Sequence, residues 1–400
     1  MSQKQILAAG IALLAVLTLF YFRRKPGAPA APSSGVPALA KKWEFATGGK
    51  ISSALALADD GTVYAASEDG SIYALDESGT TQWKAYVGAT MSAPAIGADG
   101  AIYISNNNGR VFALNHSGVV RWSSTVYAGN TLGENGAALG RDYLYFPSRG
   151  DLVALRLTNG QTDWSSRWGG EQRGSVTLLP DGTILSPGRG RLNALNSRGE
   201  MIWQYPPLSS EAVTRNGGYP PPGDFFVGSG IAFDNNRTLY AAVARSRMVA
   251  MGLDGTLKWE VNTNGNELSR ATPVISADGT IIFGSSAGTL YAVDSLGTTK
   301  WTLSLQSPLR ATPVLAQDGT IFVLDGRDLS AVSSDGHLLS KVEIGPGGES
   351  SPTLAPDGTV YVATYDGKVI AFAGGHGGLM NSPWPKYQAD LSNSGNPRSF

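Results

Sequence analysis

Arginine side chains are the groups whose placement in this sequence favours a chemical role, and that role is anion binding. A guanidinium group is planar and always charged, so it can grip a carboxylate or phosphate through two parallel hydrogen bonds. When the repeated segments of the chain are aligned on their Asp-Gly turns, one residue per segment lies at the start of the first strand. These eight positions are Ser52, Met91, Glu134, Arg173, Gly228, Arg270, Arg310 and Glu349.

A second set of arginines lies in the loops between the second and third strands, and we expect these loops to share a face with the first set. They are Arg149, Arg189, Arg191, Arg245, Arg247 and Arg327. A long insertion at residues 205–226 falls on that face too, and long loops are frequently functional. We predict that this face binds an anionic ligand or an acidic protein surface. The alternative is that the arginines are merely solvated, with Glu134 and Glu349 neutralising part of the set.

Other chemistry finds little support in the residue types. The chain has no cysteine, which excludes disulfides, thiolate metal sites and lipidation through cysteine. His116, His337 and His376 occupy turns of different segments, without the spacing of metal ligands. The Asp-Gly pairs are typical turn residues, and no Ser/His/Asp set can be assembled. We therefore predict no catalytic, cofactor-binding or metal-binding residue.

Composition favours many short strands joined by tight turns. The 400 residues include 51 glycines, 22 prolines and 9 tryptophans, and 42% of the chain is hydrophobic. The formal net charge is −1, so no global field attracts nucleic acid or anionic lipid. We expect no nucleic-acid partner.

Internal repetition is the strongest signal in the sequence. Residues 270–301 (RATPVISADGTIIFGSSAGTLYAVDSLGTTKW) align with residues 310–341 and 91–122. Each unit contains alternating segments joined by Asp-Gly and similar turns, which predicts four short strands. The first turn recurs eight times. One such sheet cannot bury its own faces, whereas eight packed radially around an axis can. The pattern predicts an all-β chain that forms a monomeric eight-bladed β-propeller.

Tryptophan marks the outermost strand of each predicted blade, where it can pack between neighbouring blades. Tryptophans occur at 43, 83, 122, 164, 203, 259 and 301, and the alignment assigns Lys341 to the next equivalent position. The eighth unit lacks an outer strand, so we expect residues 41–47 to supply it and close the ring. The C-terminal tail, which contains Trp384, is expected to pack over that junction or to compete for its edge.

The amino terminus predicts a membrane anchor. Residues 6–22 form an uncharged run, roughly 25 Å long as a helix, followed by Arg23, Arg24 and Lys25. We assign residues 1–25 to a transmembrane helix or uncleaved signal, 26–40 to a Pro/Ala-rich linker, and 41–400 to the propeller and its tail. A cleaved signal peptide is the alternative. The basic cluster would keep the propeller in the cytoplasm by the positive-inside rule.

The repeat unit resembles the PQQ-like repeat family. Its pattern of Ala, Asp, Gly and Trp appears here at Ala74, Asp76, Gly79 and Trp83, and the likeness covers about residues 41–375. The resemblance implies an eight-bladed propeller but is poorly specific for function. One branch comprises quinoprotein dehydrogenases, which hold pyrroloquinoline quinone and calcium at the axis. The other is the BamB-type propeller, a non-enzymatic scaffold of outer-membrane assembly.

Size and blade count match the second branch, so we predict a non-catalytic scaffold that binds a protein partner in the cell envelope. We expect neither pyrroloquinoline quinone nor calcium to be a cofactor. Two alternatives stay open: a quinone-dependent oxidoreductase and a polysaccharide- or ligand-binding surface protein. The family resemblance places the propeller on the periplasmic or extracellular side, against the charge rule.

Overall fold

A computed structural model describes residues 39–126, 136–148, 151–167, 174–188, 191–205, 230–243, 246–263, 271–390 and 392–396. These residues form eight antiparallel sheets of four strands each, arranged as an eight-bladed β-propeller. The predicted all-β architecture and blade number are therefore confirmed. No helix long and apolar enough to cross a membrane occurs in the described residues, and the predicted anchor at residues 1–25 lies outside them.

The first four blades follow one another along the chain. Blade 1 consists of β2 (Ala56–Leu57), β3 (Val63–Ala66), β4 (Ser71–Leu75) and β5 (Thr81–Tyr86). Blade 2 consists of β6 (Ala95–Ile96), β7 (Ile102–Ser105), β8 (Arg110–Leu114) and β9 (Val120–Thr125). Blade 3 consists of β10 (Ala138–Leu139), β11 (Tyr143–Ser148), β12 (Asp151–Arg156) and β13 (Thr162–Arg167). Blade 4 consists of β14 (Thr177–Leu178), β15 (Ile184–Gly188), β16 (Arg191–Leu195) and β17 (Met201–Tyr205).

The last four blades repeat this order until the final one. Blade 5 consists of β18 (Ala232–Phe233), β19 (Thr238–Val243), β20 (Arg247–Gly252) and β21 (Leu257–Asn262). Blade 6 consists of β22 (Val274–Ile275), β23 (Ile281–Gly284), β24 (Thr289–Val293) and β25 (Thr299–Ser304). Blade 7 consists of β26 (Val314–Leu315), β27 (Ile321–Asp325), β28 (Asp328–Val332) and β29 (Leu338–Glu343). Blade 8 consists of β30 (Thr353–Leu354), β31 (Thr359–Ala363), β32 (Lys368–Ala373) and β1 (Ala40–Ala46).

The ring closes where the two ends of the repeat array meet. Strand β1 pairs antiparallel with β32, from Ala40 opposite Ala373 to Ala46 opposite Lys368. The amino-terminal strand therefore supplies the outer strand of the last blade, as the repeat count predicts. Trp43 on this strand also packs its ring 5.7 Å from that of Tyr361 in the same blade.

The first hairpin of six of the eight blades is held by the chemistry of its Asp-Gly turn. In blade 1, the Asp60 side chain accepts a hydrogen bond from the Thr62 backbone N–H at 2.9 Å. Gly61 then adopts a φ of 84°, a left-handed conformation that costs glycine little because it has no Cβ.

Tryptophan fastens seven of the eight seams between blades. At each of them the indole Nε1–H donates to a backbone carbonyl of the next blade, at 2.5 to 2.9 Å. The ring lies so close to a turn glycine that a Cβ there would be 2.3 to 2.9 Å from it. These tryptophans are 43, 83, 122, 164, 203, 259 and 301, and their role is structural.

At the eighth seam, between blades 7 and 8, the sequence alignment was wrong by one residue. Strand register places Ser340, rather than Lys341, opposite Ala331, the position that tryptophan occupies in other blades. The error arose because Asp325 and Asp328 close a shorter hairpin in blade 7, which shifts the following residues by one. The ring against Phe322 is the imidazole of His376, from the segment that follows β32, at 5.4 Å. At this seam, His376 from blade 8 takes the place that a tryptophan of the preceding blade occupies at the other seams.

The C-terminal tail, which we define as residues 379–396, does not pack over the β1–β32 junction as expected. It crosses the inner strands instead. Backbone N–H groups of five blades donate to tail carbonyls at 2.8 to 2.9 Å: Ile96, Leu139, Leu178, Ile275 and Leu315. The expectation was wrong because β1 already fills the free edge of blade 8, whereas the innermost strands offer unpaired amides along the axis.

Candidate functional site

The propeller has two faces, and the loops predicted to bind a ligand open on one of them. We call it the mouth face: it carries the loops from each outer strand to the next inner strand and the turns between second and third strands. Backbone hydrogen bonds join the two kinds of loop, from Glu68 N to Lys50 O and from Tyr365 N to Gly347 O. The Asp-Gly turns and the turns before the outer strands form the opposite face.

The structure describes five of the eleven predicted site residues, and all five belong to segments of the mouth face. Arg310 and Glu349 begin their blades, Arg327 lies between β27 and β28, and Arg191 and Arg247 begin third strands. The other predicted residues lie outside the described part of the chain: Glu134, Arg149, Arg173, Arg189, Arg245 and Arg270. So do residues 206–226 of the predicted insertion.

Arg310 and Glu349 form an ion pair on adjacent blades. The Arg310 Nη1 atom donates to Glu349 Oε1 at 2.7 Å. Burial raises the pKa of Glu349, but hydrogen bonds from Tyr365 and Arg310 outweigh it and the net pKa is lowered. Glu349 is thus ionised at neutral pH, and its charge offsets that of Arg310. The neutralisation considered for the arginine set therefore holds at this pair.

The neighbouring charges in blades 8 and 1 are also balanced. The Lys50 amine lies 4.1 Å from the centre of the Tyr365 ring, a cation–π contact. Glu68 accepts a hydrogen bond from Ser52 Oγ at 2.7 Å. Lys50 and Arg310 are thus offset by Glu68 and Glu349, and the turns between second and third strands of blades 1 and 8 add Asp69 and Asp366. This sector of the mouth face is polar and ordered but not basic.

Two further predicted arginines have acidic neighbours. Arg327 lies 3.1 Å from Glu343 and also donates to Gly345 O, and its side chain is 67% exposed. Arg247 lies 3.4 Å from Glu260. Exposed pairs of this kind contribute less than about 1 kcal/mol, so a ligand carboxylate or phosphate could replace the acidic partner at small cost.

The axis of the propeller is filled by the chain's own tail. Trp384, Lys386 and Tyr387 are 1%, 0% and 5% exposed, and the Tyr387 ring packs against Ala54 and Ala93 of the inner segments. Asn393 donates to the carbonyls of Leu55 and Pro94 at 3.1 Å. The sequence pattern missed this segment because it follows the last repeat and has no strand periodicity.

The expected absence of a quinone cofactor stays a prediction. The resemblance to quinoprotein dehydrogenases would place pyrroloquinoline quinone and calcium at the axis, where the tail side chains lie. The described residues contain no cluster of three or more histidine and carboxylate groups that could hold a metal ion. Of the three histidines, His376 is committed to Asp318 and Thr320 of blade 7, at 2.7 and 3.1 Å.

Comparisons with known proteins agree with the geometry. The solved structure of BamB from Moraxella catarrhalis matches with a TM-score of 0.69 and 18% identity, covering 84% of this chain and all of that one. The computationally designed Ika8 protein matches with a TM-score of 0.66 and 14% identity, covering 82% of this chain and 98% of that one. No match occurs among curated protein sequences.

At these identities the structural likeness shows the fold alone. The family described as outer membrane protein assembly factor BamB matches this chain at residues 38–178, 163–314 and 287–390, which together span the whole propeller. The resemblance noted from the repeat is therefore confirmed, and the chain belongs to the BamB family of PQQ-like repeat propellers.

Proposed function

We propose that the chain is a non-catalytic scaffold of the cell envelope that binds a protein partner through its mouth face, in the assembly of outer-membrane proteins. The observation that carries this proposal is the occupied axis. Propeller enzymes of the related branch use the axis for their cofactor, and here Trp384, Lys386 and Tyr387 are buried in it. While the tail occupies the axis, a partner is bound on a face or an edge of the ring.

Charge supports the mouth face as the contact surface. The protein is nearly neutral, yet the sequence assigns nine arginines of its predicted set to loops of this face. The two of them in blade 7, Arg310 and Arg327, are paired with Glu349 and Glu343. The proposal therefore centres on the arginines of blades 3 to 6, and the partner surface is acidic because arginine binds carboxylates in a bidentate manner.

Location is the second part of the proposal. We propose that residues 1–25 anchor the chain in a membrane and that the propeller lies on the periplasmic side, where outer-membrane assembly takes place. The family supports this side, while Arg23, Arg24 and Lys25 favour the other. A reporter that is active only outside the cytoplasm, fused after Phe400, tests the assignment. An inactive reporter on a folded fusion would refute it.

A charge-reversal pull-down tests the partner site. We expect that changing Arg173, Arg189 and Arg270 together to glutamate abolishes retention of the partner from envelope extracts. The matched control reverses three exposed arginines of the opposite face, Arg141, Arg198 and Arg237, and should retain the partner. Equal retention by both triple variants would refute the mouth-face site. Identification of a polysaccharide instead of a protein would refute the scaffold role.

A further inference from the structure

We propose that the axial channel is a binding groove for a short polypeptide segment, and that the chain's own tail is its resident, exchangeable ligand. This inference goes beyond the mouth-face scaffold and shares with it the observation that the tail lies at the axis, but its tests measure tail release and do not involve the mouth face. The tail is not a strand of any blade, so its contacts with the channel resemble recognition of a peptide more than the folding of a sheet.

Recognition of the tail is largely through its main chain. The second residue of the inner strand donates its N–H to a tail carbonyl in five blades. In blades 6 and 7 these donors are Ile275 and Leu315, and they bind consecutive tail carbonyls, those of Trp384 and Pro385. Main-chain bonds of this kind provide affinity with little dependence on sequence, as when a peptide is added to a sheet edge.

Side-chain sites along the channel provide the sequence preference. Trp384 lies in an apolar site with Ile275, Ile281 and Phe283. The amine of Lys386 donates to Asn393 Oδ1 at 2.6 Å and to Asp390 O at 3.0 Å. Both partners of Lys386 belong to the tail itself, so the channel selects for the aromatic residue, and the ligand class is a short segment with an aromatic anchor.

Part of the tail backbone is conformationally strained in the channel, which favours release of the tail. Four non-glycine residues of the described chain have a positive φ, and three of them are Gln388, Ala389 and Asn393 of the tail. Such left-handed conformations are strained for residues with a Cβ and persist only where the surroundings enforce them. Strain of this kind is relieved when the tail leaves the channel.

Polar groups that are buried with the tail also favour its release from the channel. The Trp384 indole N–H and the Ser382 hydroxyl are buried and have no hydrogen-bond partner in the described part of the chain. The Lys386 amine is fully buried, and the Asp390 carboxylate that acts on it within the described part of the chain accepts from the Ser394 N–H. The inner strands that line the channel contain no ionisable residue. Release of the tail hydrates all these groups.

The segment that leads into the tail provides a hinge. Residues 374–378 have the sequence GGHGG, and Gly375 and Gly377 have φ values of 64° and 72°. His376 between them is fixed to Asp318 of blade 7 at 2.7 Å. The tail can therefore leave the channel while His376 keeps the seam between blades 7 and 8 closed.

Hydrogen exchange of the unmodified full-length chain is the first test. The amides of Ile96, Leu139, Leu178, Ile275 and Leu315 exchange through tail release, so we expect them to be at least about tenfold less protected than amides of the second and third strands. Trp384→Ala should speed exchange at these five amides by about a hundredfold or more, since it removes a buried aromatic anchor. Equal protection at the five amides and in the middle strands would overturn the proposal.

Binding of a peptide in trans is the second test. We expect a fluorescent peptide of residues 379–396 to bind the full-length Trp384→Ala variant saturably, and to bind the unmodified chain at least about tenfold more weakly, because its own tail competes. Trp83→Phe, a change at a blade seam, is the matched control and should behave as the unmodified chain. Failure of the folded Trp384→Ala variant to bind, or equal binding by all three proteins, would overturn the proposal. If Trp384→Ala does not fold, the exchange pattern of the unmodified chain decides.

Discussion

Replacement of Lys386 by methionine should change how the stability of the propeller depends on pH. Burial lowers the pKa of this amine from 10.5 to about 7, and the Asp390 carboxylate offsets only part of the effect. Between these two values the unfolded amine is protonated and the folded amine is neutral. Unfolding therefore takes up a proton, and the free energy of unfolding rises with pH across this window and levels off below about pH 7.

The magnitude follows from the pKa difference. Each pH unit within the window is worth about 1.4 kcal/mol, so the neutral amine costs on the order of 5 kcal/mol at pH 7 relative to pH 10.5. Methionine keeps the length of the side chain but does not titrate. Its loss of the bonds to Asn393 and Asp390 lowers stability by a similar amount at every pH. The pH-dependent difference between the two proteins therefore isolates the amine.

Denaturant unfolding at pH 7, 8 and 9 is the assay. We expect the free energy of unfolding of the unmodified chain to rise relative to Lys386→Met by up to about 1.4 kcal/mol per pH unit. All other titrating groups are shared by the two proteins and cancel in the difference. Parallel pH profiles would show that the Lys386 amine stays charged in the folded protein across this range, and would refute its burial as a neutral group.

The remaining predictions concern the blade seams and the mouth face. Trp83→Phe should lower the free energy of unfolding by about 1 kcal/mol, through loss of the 2.8 Å bond to His116 O, as measured by denaturant unfolding. Gly118→Ala should cost at least about 2 kcal/mol, because it combines a φ of 79° with a Cβ placed 2.5 Å from the Trp83 ring. Gly100→Ala, with a φ of 72° and open space around the Cβ, is its control; equal costs would show that the Trp83 contact is unimportant. Arg327→Ala should change stability by less than about 1 kcal/mol, and a larger loss in thermal unfolding would contradict its assignment as an exposed pair with Glu343.

Much of the fold could be predicted because similar turn and packing residues recur in the eight repeats. Asp-Gly pairs specify the first hairpin of most blades, and a tryptophan spaced about forty residues from the next marks seven seams. The last repeat lacks its outer strand, and an extra strand surrounds Trp43. Together these features predict that the two ends of the chain close the ring, and β1 does pair with β32.

The errors arose where repetition ends or slips. A hairpin one residue shorter in blade 7 moved the tryptophan position from Lys341 to Ser340, a shift that alignment without register could not detect. The tail follows the last repeat, so no periodicity indicated that Trp384 and Lys386 lie on the axis. The ion pair between Arg310 and Glu349 links residues 39 positions apart, and charge counting alone left its formation open.

Occupation of the axis by the tail is the claim on which the proposed function depends, and cofactor titration tests it most directly. Thermal unfolding of the intact chain is measured with and without pyrroloquinoline quinone and calcium. We predict an unchanged Tm and no change in quinone absorbance. A ligand of the folded state at a hundredfold excess over its Kd would add about 2.7 kcal/mol. A saturable rise in Tm that requires both quinone and calcium would contradict the filled axis and support the oxidoreductase alternative.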